Sequence, residues 1–135
     1  MMLLPAKPDD CAARYMAERI VFGRLIGQNQ AIQHLHAQRW IELEAAELMV
    51  LRAAAAYDRG EEAGAYANAA KYYAAEAGFR ACETAVMTHG GMGYAREYHV
   101  ERYFREIQIA RIAPVSPQLI LSHIAERVLG LPKSY

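Results

Sequence analysis

Metal and proton chemistry draw first on histidine, and five histidines stand at positions 34, 36, 89, 99 and 123. His34-x-His36 falls in a segment of helical pattern. Positions i and i+2 there point to different faces, so the two imidazoles cannot share one ion. His89, His99 and His123 are scattered, and no HExxH, paired ExxH or EF-hand loop accompanies them. No metal centre is expected. Nucleophilic chemistry finds no better support. There is no GxSxG, Ser116 is explained by a helix cap, and Cys82 falls on an apolar helical face as a small core residue.

Two features remain. Gly90-Gly91-Met92-Gly93 puts three glycines in four residues, a backbone able to turn tightly and approach a ligand. It reads either as a plain helix end or as free N–H groups facing a phosphate or sugar. No strand precedes it, so it is not a dinucleotide-binding βαβ fingerprint. Arg19, in Arg19-Ile20-Val21-Phe22-Gly23, is either a solvated residue at a helix end or a fork for two pyrophosphate oxygens. Residue types alone do not separate these readings.

The elements that carry these residues are helices. Residues 1–10 read as a lead-in, with Asp9-Asp10 placed to cap a first helix over Cys11–Phe22. Gly23 stops it, and Gly23–Gly27 reads as a loop. The longest segment, Gln28–Tyr57, carries Ile32, Leu35, Leu43, Ala46, Val50, Ala53 and Tyr57 at helical spacing. Leu48, Leu51 and Ala55 form a stripe on another face, so burial on two sides is expected. Gly60 suits the left-handed position after its end. A third helix spans Glu61–Thr88, with an apolar face of Tyr66, Ala70, Tyr73, Ala74, Ala77, Ala81 and Val86. A shorter helix covers Val100–Ile109. Ser116-Pro117 starts a last one, striped by Ile120, Ile124, Val128 and Leu131. The spacing predicts an all-α, four-helix-bundle-like up-down domain with short extra helices, occupying residues 11–135.

Composition narrows the function classes. The chain has 135 residues, enough for one domain with its own core. Lys plus Arg and Asp plus Glu are both 15, so the net charge is zero. A nucleic-acid partner, whose phosphates call for a basic excess, is set aside. Cys11 and Cys82 are too few for a disulfide scaffold or zinc ribbon, and a reducing cytoplasm is the expected location. No apolar run reaches the ~18 residues of a membrane span, and Met1-Met2-Leu3-Leu4 lacks the features of a signal peptide.

In order and spacing the pieces resemble the C-terminal helical domain of the acyl-CoA dehydrogenase family, from about Ala12 to Leu131. Tyr15-Met16-Ala17-Glu18-Arg19-Ile20-Val21-Phe22-Gly23 is similar to the family's YAxERxxFG, and Gln30 matches the Gln that follows. Lys71 falls early in the second long helix, as in the family. Ala85–Tyr94 resembles AVQxxGGxGY, and Glu101-Arg102-x-x-Arg105-Glu106 resembles ERxxRD. The resemblance implies a domain that follows an N-terminal helical domain and a β domain. It implies FAD as cofactor, an acyl-CoA substrate of fatty acid metabolism and α,β-desaturation with hydride transfer to the flavin. Electrons would then leave to an electron-transfer flavoprotein. Arg19 would meet the FAD pyrophosphate from an adjacent subunit, and Phe22 and Gln30 would line the same cofactor. Gly90 and Gly91 would admit its ADP half. Ser116 and Gln118 stand where the family has a cofactor-contacting Thr and Gln.

Two positions depart from the pattern. Pro114 occupies the place of the catalytic Glu in YEGTS and offers no proton acceptor, and Met87 replaces the Gln before the Gly pair. No catalytic residue is therefore assigned within the chain. An isolated chain without the base and the other two domains is expected to be inactive. A homo-oligomer, dimer or tetramer, or a partner chain carrying the missing domains is expected instead. The alternative is a stand-alone helical module that keeps the fold for oligomerisation or partner binding.

Overall fold

The structure is a computed structural model and describes residues 8–134. Five helices follow one another: α1 (Pro8–Glu18), α2 (Gln30–Asp58), α3 (Gly64–His89), α4 (Val100–Ile112) and α5 (Pro117–Arg127). α3 is the axis of the domain, with α1, α2, α4 and α5 all packed against it. The fold is the expected all-α bundle. None of the described helices is long and apolar enough to cross a membrane.

The first helix differs from expectation at both ends. It is described from Pro8 on, so Asp9-Asp10 lies within the helix instead of ahead of it, and residues 1–7 of the expected lead-in lie outside the described residues. It ends at Glu18. Ile20–Val21 (β1) and Arg24–Leu25 (β2) form a small antiparallel hairpin, with Ile20 opposite Leu25 and Val21 opposite Arg24. The two β-branched residues favour the extended backbone over the helix. Phe22 and Gly23 make the turn with φ of 53° and 76°. Two positive φ values in a two-residue loop match the right-handed twist of the strands.

The helix ends behave as their residues dictate. Gly60 takes a φ of 71° beyond α2, and Ser116 Oγ accepts the Leu119 N–H at 3.3 Å ahead of Pro117. α3 starts at Gly64, three residues later than expected.

The core is built from small side chains. Among the described residues, eight of the twelve buried apolar ones are alanine. Ala12, Ala85 and Val100 join α1, α3 and α4, with Tyr98 and Val86 against them. α4 lies close on α3: a methyl added at Gly78 would stand 2.9 Å from Ile107 Cδ1.

The buried stripe of α2 runs through His36, Arg39, Ala46 and Ala56. It shares Ala46 with the apolar stripe expected from spacing, of which Ile32, Leu43 and Ala53 are half-buried and Leu35, Val50 and Tyr57 exposed. The second stripe is exposed too, Leu48 by 67% and Leu51 by 57%. Expected burial on two sides is thus one-sided in this chain. The inner face instead carries a ladder of charges across three helices. Arg39 meets Glu42 at 2.7 Å, Arg80 meets Glu42 at 3.0 Å, and Arg111 meets Glu76 at 2.9 Å. Arg80 also approaches Glu76 at 3.9 Å.

The accessible surface is 9432 Å². A compact monomer of 15.1 kDa exposes about 7,100 Å². Large apolar side chains are exposed on two helices, among them Trp40, Ile41, Leu48 and Leu51 of α2 and Ile109 and Ile112 of α4.

Candidate functional site

Arg19, Gly90 and Gly91 meet in one cleft of about 420 Å³, whose other walls are Tyr15, Val21, Ile26, Thr88, His89 and Met92. Each wall has a local cause. Tyr15 and Arg19 are four residues apart and share a side of α1 and its exit. The Arg19 N–H closes that exit on the Tyr15 carbonyl at 2.8 Å, and the hairpin returns to donate the Ile26 N–H to the Arg19 carbonyl at 2.9 Å. Opposite, α3 ends at His89, and Gly90 leaves it at φ 59°. Residues 90–94 coil into a tight turn, held in place by Gly93, whose Cβ position is filled by the Val86 carbonyl oxygen. Nothing lies within 4 Å of a Cβ built on Gly90 or Gly91, so this side of the turn is open.

Arg19 is exposed and has no carboxylate partner among the described residues. A free guanidinium beside an open glycine backbone suits an anion with several oxygens. The residues present therefore fit a diphosphate.

The floor of the cleft is aromatic. Tyr15 stacks on His89 at 4.1 Å, and Tyr98 sits edge-on to both rings at 5.5 Å. His89 Nδ1 lies 2.7 Å from the Ala85 carbonyl oxygen. A carbonyl only accepts, so Nδ1 carries a proton. His36 reaches across from α2, with Nε2 2.8 Å from Thr88 Oγ1. Burial pushes the His36 imidazole below its ordinary pKa of 6.5, and His89 and Arg39 nearby push the same way.

The other expected residues fall elsewhere. Phe22 stands at the hairpin tip, fully exposed, a large apolar ring on a backbone conformation that disfavours it. Gln30 opens α2 on an exposed position outside the cleft. Ser116 and Gln118 lie at the start of α5, where Lys71 Nζ donates to the Val115 carbonyl at 2.7 Å. Along α3, Lys71 and Gly90 are separated by about 28 Å of helix rise. The expected contacts thus divide between two ends of the bundle. Pro114 is exposed at the α4–α5 corner. Tyr15, Thr88 and His89 were not singled out for this cleft; the signal available was their adjacency to Arg19 and to the glycine pair.

The chain matches the family described as "Acyl-CoA dehydrogenase, C-terminal domain" over residues 9–129. It belongs to the acyl-CoA dehydrogenase family. Acyl-CoA dehydrogenase FadE12 of Mycobacterium tuberculosis is 44% identical over 126 residues, which are 92% of this chain and 32% of that protein. The structure of a glutaryl-coenzyme A dehydrogenase with glutaryl-CoA superposes with a TM-score of 0.87 at 35% identity, covering 94% of this chain and 32% of that one. An FAD complex of PigA gives 0.89 at 28% identity, with 93% and 33% covered. The chain spans about a third of the length of the relatives it matches.

Proposed function

We propose that this chain supplies the C-terminal helical part of an FAD-dependent acyl-CoA dehydrogenase, contributing cofactor contacts and the surface on which subunits assemble. The observation that carries the reading is Arg19, free of any carboxylate among the described residues, lining the same cleft as the open Gly90–Gly91 backbone. FAD, when bound, supplies the acceptor for a hydride from the acyl-CoA β-carbon.

The chain's own residues bind and orient. Arg19 neutralises diphosphate charge bidentately; the Gly90 N–H is held by the Met87 carbonyl, and the side-chain-free Gly90–Gly91 backbone lets the diphosphate approach. Phe22 presents an exposed apolar ring from the tip of the same hairpin, and Gln30 opens α2. Ser116 and Gln118, at the far end of α3, serve a second cofactor contact. One chain cannot bring both ends to the same part of one cofactor, which favours an assembly in which neighbouring copies complete each other's sites. The large exposed apolar faces of α2 and α4 supply the surface for it. Pro114 cannot accept a proton, so this position does not supply the base that removes the substrate α-proton.

The test is Arg19→Ala. FAD binding, followed by flavin fluorescence, is expected to weaken roughly tenfold or more, the scale of a lost charged hydrogen bond. The melting temperature should be unchanged, because Arg19 is exposed. A large loss of stability with unchanged flavin affinity would make Arg19 a structural residue. It would also move the stand-alone helical module ahead.

A further inference from the structure

We propose that His36 is a positioning residue for the cleft: its neutral imidazole seats the last turn of α3, and a proton on it unseats the Gly90–Gly91 turn and weakens diphosphate binding. The proposal rests on the FAD reading above. His36 never touches the cleft. It acts through Thr88, which lies in the last turn of α3 and, with His89, leads directly into Gly90.

The chemistry follows from the hydrogen bonds. His36 is 9% exposed, its Nε2 is engaged by Thr88 Oγ1 at 2.8 Å, and its Nδ1 is buried without a partner. With Nε2–H donating to Thr88 Oγ1, the neutral tautomer that leaves no buried donor unpaired, Nδ1 is a lone pair without a partner. In the protonated ring it becomes a buried N–H⁺ with no acceptor, which is costly.

The surroundings do not compensate. Arg39 lies one turn along α2, and its Glu42 is already shared with Arg80. From α3 come Thr88 and His89, and from α1 and the approach to α4 come Tyr15 and Tyr98, stacked on and edge-on to the His89 ring. His89 is placed differently. With Tyr15 it forms the wall between the main cleft and a second one of about 240 Å³, where Glu18 and Glu97 stand beside Arg14 and His99. Carboxylates are thus at hand for His89 and not for His36. Acid relieves His36 by letting its ring swing to water. That breaks the Thr88 contact and frays the helix end, where the Gly90 N–H is bonded to the Met87 carbonyl, that holds the open Gly90–Gly91 backbone across from Arg19.

The experiment is an NMR pH titration of the 135-residue chain from about pH 8 to about pH 5. It follows both imidazoles and the amides of Gly90 and Gly91, in the wild type and in His36→Gln. Glutamine keeps a donor for Thr88 but does not titrate. Flavin fluorescence gives FAD affinity at both ends of the range. FAD is the probe because its diphosphate, unlike a terminal phosphate with a pKa near ~6, does not titrate there. In the wild type the glycine amides should move with the His36 midpoint, and FAD should bind about tenfold more weakly at the acid end, as one unit of linked pKa shift requires. In His36→Gln both effects should vanish while circular dichroism reports an intact fold.

Glycine amides that stay still, follow His89 instead, or move equally in the variant overturn the proposal. So does FAD affinity that rises with acid. If FAD binds at neither pH, the cofactor reading fails, and the amide titration still decides whether His36 seats the turn. If His36→Gln does not fold, the wild-type midpoints decide alone: glycine and His36 midpoints that differ refute the coupling.

Discussion

Gly93→Ala places a methyl group where the backbone leaves no room. The Cβ position falls inside contact distance of the Val86 carbonyl oxygen and 3.1 Å from both the Val86 carbonyl carbon and His89 Cβ. Carbon and oxygen come to rest roughly 3.3 Å apart, so the turn must retreat by about 1 Å. The Val86 atoms belong to the helix backbone of α3 and cannot swing away. Overpacking a site costs about 1–3 kcal/mol, and opposing backbone puts this one near ~3 kcal/mol. For a domain of this size that lowers the melting temperature by about 10 °C. Gly91→Ala, two residues earlier, is the control. Nothing lies within 4 Å of its added methyl, so stability should hold within about 0.5 kcal/mol. The methyl would nonetheless stand on the open side of the turn and reduce FAD affinity. Thermal unfolding by circular dichroism and flavin titration of both variants test the pair. Equal melting temperatures for Gly93→Ala and wild type would refute the close approach on which the shape of the cleft depends.

Other perturbations have defined outcomes. Glu42→Ala removes the shared partner of Arg39 and Arg80 and leaves the Arg39 side chain, 10% exposed, unpaired. Urea unfolding should show a loss of about 3 kcal/mol, the cost of breaking a buried pair from one side. His36 has a folded pKa below its unfolded value of 6.5. The unfolded chain therefore binds its proton first, so His36 contributes full stability above pH 6.5 and loses it as pH falls from there toward the folded value. The urea midpoint of wild type should drop on acidification, and His36→Leu should flatten that part of the profile. Leu48→Glu with Leu51→Glu charges the exposed outer face of α2 and should shift a sizing-column peak to monomer without lowering helix content.

Much of this was legible in residue order. Gly60 ended α2, Ser116 and Pro117 began α5, and the two long helices followed from periodicity alone. The hairpin was not legible, because its strands are two residues each and its turn begins with Phe22, a residue with no preference for positive φ. The interior of α2 was misjudged for a different reason. Spacing identifies an apolar stripe but not what covers it. Leu48 and Leu51 look like core residues and are exposed here, whereas His36 and Arg39 look like surface residues and are buried because Thr88 and Glu42 meet them. Of the site, Arg19 and the glycine pair were visible as types able to hold phosphate. Their convergence in one cleft depends on the chain path from α1 into the hairpin, where the Ile26 N–H closes on the Arg19 carbonyl, and on Tyr15 stacked against His89 at the end of α3.

The most direct test of the cofactor-facing, assembling role is light scattering behind a sizing column, with a 300–550 nm spectrum of the eluted protein after mixing with FAD. The expected result is a dimer or larger species that carries flavin with shifted absorption bands. A monomer of 15.1 kDa that elutes free of flavin would contradict it.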